Sequence, residues 1–335
     1  MQTLKQNILR YISSFGIVQD FFKGKGVILM LHRIAPYENK LSLNENMKVA
    51  PEFLEDFIVK SLEAGYEFIS LDRLYDGLIS GDLPEYFLCI TIDDGYKDNL
   101  TFGYPIFAKY QIPFCIYVCT SFPQRSANMW WFALEDYLLE NDSIHFNNHT
   151  YDISSIVAKE AMFMQIRNAL ITQNTSYEHS GLKSFGIEYN PRDYDSLALT
   201  WEDIAYLDRQ MATFEGGGGQ KLCTIGNHTH SHPIFNQLTT EQIIEDITKA
   251  QNLFKEHLGY TPLHFGYPFG GRIEVDSSHF ETIKNLGFLS ATTTRHGSIY
   301  YEHKGYLHSL PRVFFSPNFV IESAFKFRKK RVVTN

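Results

Sequence analysis

The stretch Phe87-Leu-Cys-Ile-Thr-Ile-Asp-Asp-Gly95 is a short apolar run that ends abruptly in two adjacent carboxylates and a glycine. Unbroken from Phe87 to Ile92, its β-branched and aromatic residues read as a strand buried on both faces, as parallel strands are. Asp93 and Asp94 then fall at the carboxyl end of that strand. Burying a carboxylate is costly unless it is paired or bound to a cation, so two side by side at the exit of a core strand need an explanation. In α/β folds ligands gather at the carboxyl ends of the strands, and Gly95 lets the backbone turn sharply there. The two Asp could equally cap the next helix, so a partner elsewhere in the chain must decide between chemistry and capping.

That partner is Ile225-Gly-Asn-His-Thr-His-Ser-His-Pro233. A second apolar run, Leu222 to Ile225, leads into three histidines at alternate positions, of which His228 and His232 are four apart. Residues at i and i+4 share one face of a helical turn, so both imidazoles can reach one ion. Two His and one Asp of the adjacent pair make a facial set of neutral nitrogens and one hard oxygen. Such a set suits a divalent metal, Zn²⁺ first and Co²⁺, Ni²⁺ or Mn²⁺ as alternatives, with positions left open for water. Bound water acidified by the ion needs a base beside it, which the other carboxylate of the pair can supply.

A third strand exit, Leu263-His-Phe-Gly-Tyr-Pro-Phe-Gly270, completes the pattern. Together Thr-Ile-Asp-Asp-Gly, His-Thr with a second His four places on, and Tyr-Pro-Phe-Gly resemble the polysaccharide deacetylases, the family with the NodB homology domain. The resemblance begins at Val27-Ile-Leu-Met-Leu-His-Arg33. It continues through Val49-Ala-Pro-Glu-Phe-Leu-Glu-Asp-Phe57 and Phe68-Ile-Ser-Leu71, and reaches Leu310-Pro-Arg312. It implies a distorted (β/α) barrel of seven or so parallel strands and an enzyme that removes N-acetyl groups from an amino sugar of a polysaccharide or glycoconjugate. It also implies that Asp94, with His228 and His232, holds the metal, that Asp93 is the base, and that the backbone N–H of Phe269 helps to stabilise the oxyanion. Where the family's third motif often has Arg, this chain has Gly266, so the usual partner of the catalytic Asp is absent. Arg312, after the fixed backbone of Pro311, is the first candidate to replace it, and Arg272 the second. For the general acid, which the family takes from a late Leu-x-His-like motif, His308 is the first candidate, with His32 and His296 behind it.

Length and composition agree with this reading. At 335 residues, 44% hydrophobic and 15% aromatic, the chain can bury a large core, enough for one elaborated α/β barrel. Strand-like and helical patterns alternate from Val27 onward, implying parallel strands with helical crossovers. A net charge of −8 argues against general nucleic-acid binding, and no apolar run is long enough to span a membrane. The organisation expected is an N-terminal helix over 1–26, a barrel over 27–320 with an insertion in a βα loop at about 123–200, and a basic tail over 321–335. The insertion contains Trp130 and Trp131, suited to stacking on sugar rings or to packing a core. Met1 to Lys25 lacks a signal-peptide layout, which predicts a cytoplasmic chain. Its helical apolar spacing with Lys5, Arg10, Lys23 and Lys25 would allow peripheral membrane contact. The four cysteines sit in or beside strand-like runs and read as reduced core residues. Glu215-Gly-Gly-Gly-Gly-Gln220 lacks the Gly-Lys-Ser/Thr ending of a phosphate loop. Two further readings stay open: a C–N hydrolase acting on a small non-sugar amide, and an inactive member that binds glycans.

Overall fold

From Gly26 onward each apolar run becomes a strand and nearly every one runs parallel to its neighbours. The computed structural model describes residues 24–146, 148–172, 181–212, 220–316 and 319. The helix expected over 1–26 lies outside them, except that Gly26 already opens the first strand; the tail expected over 321–335 lies outside them altogether.

The main sheet comprises β1 (Gly26–Leu31), β2 (Glu67–Phe68), β3 (Phe87–Ile92), β4 (Phe114–Val118), β5 (Cys223–Asn227), β6 (His264–Gly266), β7 (Ser290–His296) and β8 (Leu310–Phe314). Seven of these close into a barrel in the order β1-β8-β7-β6-β5-β4-β3, sealed by β3 on β1 with Gly26 opposite Phe87 and Leu31 opposite Ile92. The two-residue β2 pairs with the start of β3. The register slips between β7 and β8, where Thr292 faces Leu310 but His296 faces Arg312. The result is the distorted (β/α) barrel that the motifs imply.

Around it lie α1 (Pro51–Glu63), α2 (Leu71–Ser80), α3 (Tyr104–Tyr110), α4 (Trp130–Glu140), α5 (Ile156–Thr172), α6 (Trp201–Asp208), α7 (Thr240–Leu258) and α8 (Ser277–Asn285). Their ends obey local rules. Pro51 sits in the first turn of α1, and α7 starts with a capping box in which the Thr239 hydroxyl and the Gln242 side chain each bond the other's backbone N–H.

Because side chains alternate along a strand, each barrel strand has an outer and an inner set. The outer set, including Leu29, Ile90, Ile92, Phe114 and Ile116, packs with Phe57, Phe107 and Phe254 from the helices in one buried cluster. Each such side chain contributes about 1.5–3 kcal/mol by leaving water. The inner set is smaller and more polar: Ile28, Cys89, Cys115, Tyr117 and Leu310 form a second cluster, with Thr91 and Arg312 above them. Tyr117 fills the middle. A Cβ on Gly226 would stand 2.4 Å from its Cδ1, and one on Gly266 2.9 Å from its Cγ, so the ring fits only because both neighbouring strands carry glycine there. All four cysteines are buried and free.

Between β4 and α6 the chain builds a separate layer from α4, a hairpin of Ser143–Phe146 with His149–Asp152, and α5. Trp130, Leu134, Leu138, Phe163, Ile166 and Leu182 give it its own apolar core. The buried ammonium of Lys159 donates to the carbonyls of Leu138 and Asn141, tying α5 to the end of α4. Several bonds stitch the layer back to the barrel, among them Leu199 N–H to Gly95 O at 2.9 Å, Lys97 N–H to Leu197 O at 2.7 Å, Leu41 N–H to Glu135 Oε1 at 3.1 Å and Gln237 Nε2 to Ile171 O at 2.8 Å. Among the described residues no helix is long and apolar enough to cross a membrane.

The packing at Tyr117 has a measurable consequence. Gly226→Ala forces its methyl group into the ring, so it should lower the unfolding free energy by about 1–3 kcal/mol, the usual cost of overpacking a core. Urea unfolding with an unchanged midpoint would show that Tyr117 has room to move aside.

Candidate active site

Asp93 and Asp94 follow β3 at the carboxyl end of the barrel, where Asp94 (φ 77°) and Gly95 (φ 103°) turn the chain sharply. The turn is pinned by Asp93 N–H on Leu31 O at 2.9 Å and Cys119 N–H on Asp94 O at 3.0 Å. The two side chains consequently diverge.

Asp93 points into the barrel and meets Arg312 of β8. The guanidinium is bidentate, Nη1 on Oδ1 at 2.7 Å and Nη2 on Oδ2 at 2.8 Å. Nε also donates to Thr293 O at 3.0 Å and Nη1 to Thr91 Oγ1 at 3.2 Å, and Cζ lies 5.7 Å from the Tyr117 ring centre. Both charges are buried, at 0% and 2% exposure. Burial opposes ionisation of each. The partner outweighs it in both cases, holding the Asp93 carboxyl below its ordinary pKa and raising that of Arg312.

Asp94 points the other way, to His228 and His232. Its Oδ1 stands 3.4 Å from Nε2 of each, and the three donor atoms lie within 4.8 Å of one another. His228 Nδ1 lies 2.7 Å from Gly266 O. A carbonyl only accepts, so Nδ1 carries the proton and Nε2 offers its lone pair toward Asp94. Two acceptors facing each other repel unless a positive charge lies between them. The Asp94 Oδ1 atom is moreover buried without a hydrogen-bond partner among the described residues. Four ligands at about 2.0–2.1 Å from one tetrahedral ion stand roughly 3.3–3.4 Å apart, so the observed spacing fits a shared divalent cation. Burial notwithstanding, the His pair holds the Asp94 carboxyl well below its ordinary pKa, and Asp94 and Asp93 raise that of His228.

The histidines converge for a reason other than the one their spacing suggested. Residues 228–232 are not helical: Thr229 (φ 70°) and His232 (φ 58°) are both left-handed. The loop is shaped by Asn227 Oδ1 accepting from Thr229 N–H at 2.7 Å and Thr229 Oγ1 accepting from His232 N–H at 3.0 Å. His230 is turned to Thr120 Oγ1, 2.9 Å from its Nδ1, while Asp246 of α7 takes its N–H at 2.7 Å. Neither Asp246 nor Tyr117 carried a sequence signal, since one is a lone acid in an amphipathic helix and the other an aromatic in an apolar strand.

The other expected residues separate. Phe269 (φ 59°) packs 5.1 Å from the His232 ring, and its N–H has no acceptor among the described residues. His32 follows β1 with Nε2 3.9 Å from Asp93 Oδ2 and its carbonyl held by Asn99 Nδ2 at 3.0 Å. Burial lowers its pKa, against the charges of Asp94 and Asp93. His308, the first choice for the acid, is elsewhere: it precedes β8, at the amino ends of the strands, with Nε2 2.7 Å from Phe288 O. His296 is exposed at the end of β7. Arg272 stands near Arg295 and not on Asp93, whose two oxygens Arg312 occupies.

A cavity of about 620 Å³ opens over Asp93 and Asp94. The barrel contributes His32, Tyr96, His228, His232 and Phe269 to its wall; the inserted layer contributes Trp130, Trp131, Phe132, Phe163 and Arg167. Trp130 packs in the layer's core and also lines the cavity.

The likeness to known proteins follows the same lines. A family model described as polysaccharide deacetylase matches residues 219–290, the segment holding His228, His232 and Phe269. The Streptococcus pyogenes deacetylase PplD, solved in complex with acetate, is similar with a TM-score of 0.59 at 18% identity, over 92% of this chain and 99% of that one. IcaB from Ammonifex degensii is similar at 0.55 and 18% over 88% and 93%, and the BpsB deacetylase domain from Bordetella bronchiseptica at 0.51 and 13% over 86% and 94%. No curated protein matches the sequence. The fold is the NodB-like barrel of the polysaccharide deacetylases, as the motifs implied.

Removing Arg312 should leave Asp93 as an uncompensated buried charge. Arg312→Met is therefore expected to cost about 3–5 kcal/mol in chemical denaturation, with part of the loss recovered when Asp93→Asn is added. Additive single losses would mean that the two side chains do not act as a pair.

Proposed function

We propose that the protein is a metal-dependent hydrolase that removes the acetyl group from an N-acetylated amino sugar in a saccharide or glycoconjugate. The observation that carries this reading is the division of labour between adjacent carboxylates. Asp93 is locked to Arg312, while Asp94 is left with two histidines and an oxygen that needs a cation. An inactive glycan-binding member would have been favoured by the missing third-motif arginine, but Arg312 supplies that guanidinium from another strand.

Asp94, His228 and His232 would hold the ion, for which two nitrogens and one oxygen suit zinc. When bound, such an ion acidifies water toward neutral pKa and polarises a carbonyl. Asp93, kept ionised and fixed in direction by Arg312, accepts the proton of the attacking water. The Phe269 N–H, free of other acceptors, donates to the oxygen that becomes negative at the acyl carbon. His32, and not His308, gives a proton to the departing nitrogen. Burial keeps its imidazole neutral near pH 7, so the proton is one acquired in turnover, and Asp93 at 3.9 Å is the nearest source. The aromatic wall of Tyr96, Trp130, Trp131 and Phe132 offers faces to a pyranose ring, which supports a sugar over a small amide.

Elemental analysis and acetate release test the assignment together. His228→Ala and Asp94→Asn should each sharply lower metal content, His230→Ala should change it little, and Asp93→Asn should keep the metal while turnover on N-acetylated oligosaccharides falls roughly 10²–10⁴-fold. Full metal occupancy in the first two variants would sink the site.

The two histidine assignments can be separated directly. His32→Ala should lose acetate release by about 10²-fold or more, whereas His308→Ala should keep a turnover close to that of the parent. The reverse order of losses would return the acid to the other end of the barrel.

A further inference from the structure

Helix α5 turns Phe163, Met164, Arg167 and Ile171 toward the cavity. At i, i+1, i+4 and i+8 these positions make one face of the helix. Three are apolar, and Arg167 alone brings a charge to this side. Its guanidinium is half-buried and makes one long contact among the described residues, Nη1 to Oδ1 of the adjacent Asn168 at 3.3 Å. No carboxylate among the described residues lies within ion-pair distance of it. Glu274, on the loop after Phe269, acts on it only from farther away. The cavity's other arginine differs: Arg33 is paired with Asp98 at 2.7 Å and held between the rings of Tyr96 and Phe132 at 5.1 and 5.2 Å.

An arginine gripped by an acid and two rings shapes a wall. One left without an anion on an apolar wall of a binding cavity is available to a ligand, and the flat fork of donors fits a phosphate or carboxylate in two-point contact. We propose that the acetylated sugar carries an anionic group, a phosphate or a carboxylate, and that Arg167 receives it while the acetamide lies at Asp93. The inserted layer then does more than enclose the sugar: it selects charged sugars over neutral ones. The proposal rests on the deacetylase reading for the position of the acetamide, but the recognition of charge by Arg167 is measured without catalysis.

The test is calorimetric titration of the metal-loaded full chain with three probes: di-N-acetylchitobiose, N-acetylglucosamine 1-phosphate, and a disaccharide of N-acetylglucosamine with glucuronic acid. The parent protein should bind at least one charged probe about tenfold or more tighter than the neutral one. In Arg167→Ala and in Arg167→Gln that ratio should fall to about one. Arg192→Ala, which removes the same charge from an exposed site of the inserted layer already paired with Asp195, should retain it. Whichever charged probe loses more identifies phosphate or carboxylate as the group received. A parent ratio near one, binding of neither charged probe, or a ratio that survives both Arg167 variants overturns the proposal. Acetate release is read separately: a collapsed ratio without acetate from any probe leaves Arg167 as the anion contact and refutes the deacetylase reading instead.

Discussion

The ion pair between Asp93 and Arg312 is the constraint around which the catalytic end of the barrel is arranged. Two buried charges in bidentate contact cancel one another, and the guanidinium also donates to Thr293 O of β7 and to Thr91 Oγ1 of β3. This fixes the local charge balance. Two carboxylates and one guanidinium leave a single negative charge, which falls on Asp94. A cation shared with the two neighbouring imidazoles satisfies this buried carboxylate oxygen.

Adjacent residues can take such different parts only because the backbone between them is bent out of the extended region. Four of the eight non-glycine residues with positive φ among those described, Asp94, Thr229, His232 and Phe269, lie at this site. Left-handed conformations cost about 1–3 kcal/mol each, least for Asp, whose short side chain tolerates them. They persist because hydrogen bonds to neighbouring strands and loops hold each one, as Asn227 and Thr229 hold the histidine loop. The rigid positions of the donor atoms are therefore set largely by tertiary bonds, while the short spacing in the chain merely makes them reachable.

This explains which features were legible in the sequence. Alternating apolar runs and helix caps announced a parallel α/β architecture, and Leu310-Pro-Arg312 pointed to the guanidinium that stands on Asp93. The spacing of His228 and His232 suggests a helical turn, yet two left-handed residues bring the imidazoles together, and backbone conformations of that kind depend on partners such as Asn227 and the following loop. His308 was misleading because a motif gives order along the chain but not which end of a strand a residue occupies. It precedes β8, whereas Arg312 lies four residues later and at the opposite end. Asp246 and Tyr117 were invisible because their importance lies in what they touch across the barrel.

Tyr117 has a consequence for how this barrel relates to others of its kind. The space beside β6 where a third-motif arginine would emanate is taken by the phenol ring, and the His228 Nδ1 atom would lie 3.2 Å from any Cβ at position 266. Guanidinium, ring and glycine thus form one exchangeable unit spread over β8, β4 and β6. A β6 segment transplanted alone from an arginine-bearing barrel would bring a second cation to a carboxylate whose oxygens are already engaged, into a volume already full. Chimeras between the two arrangements should be viable only when all three strands are exchanged together, so recombination at single-loop boundaries would be confined to one arrangement or the other.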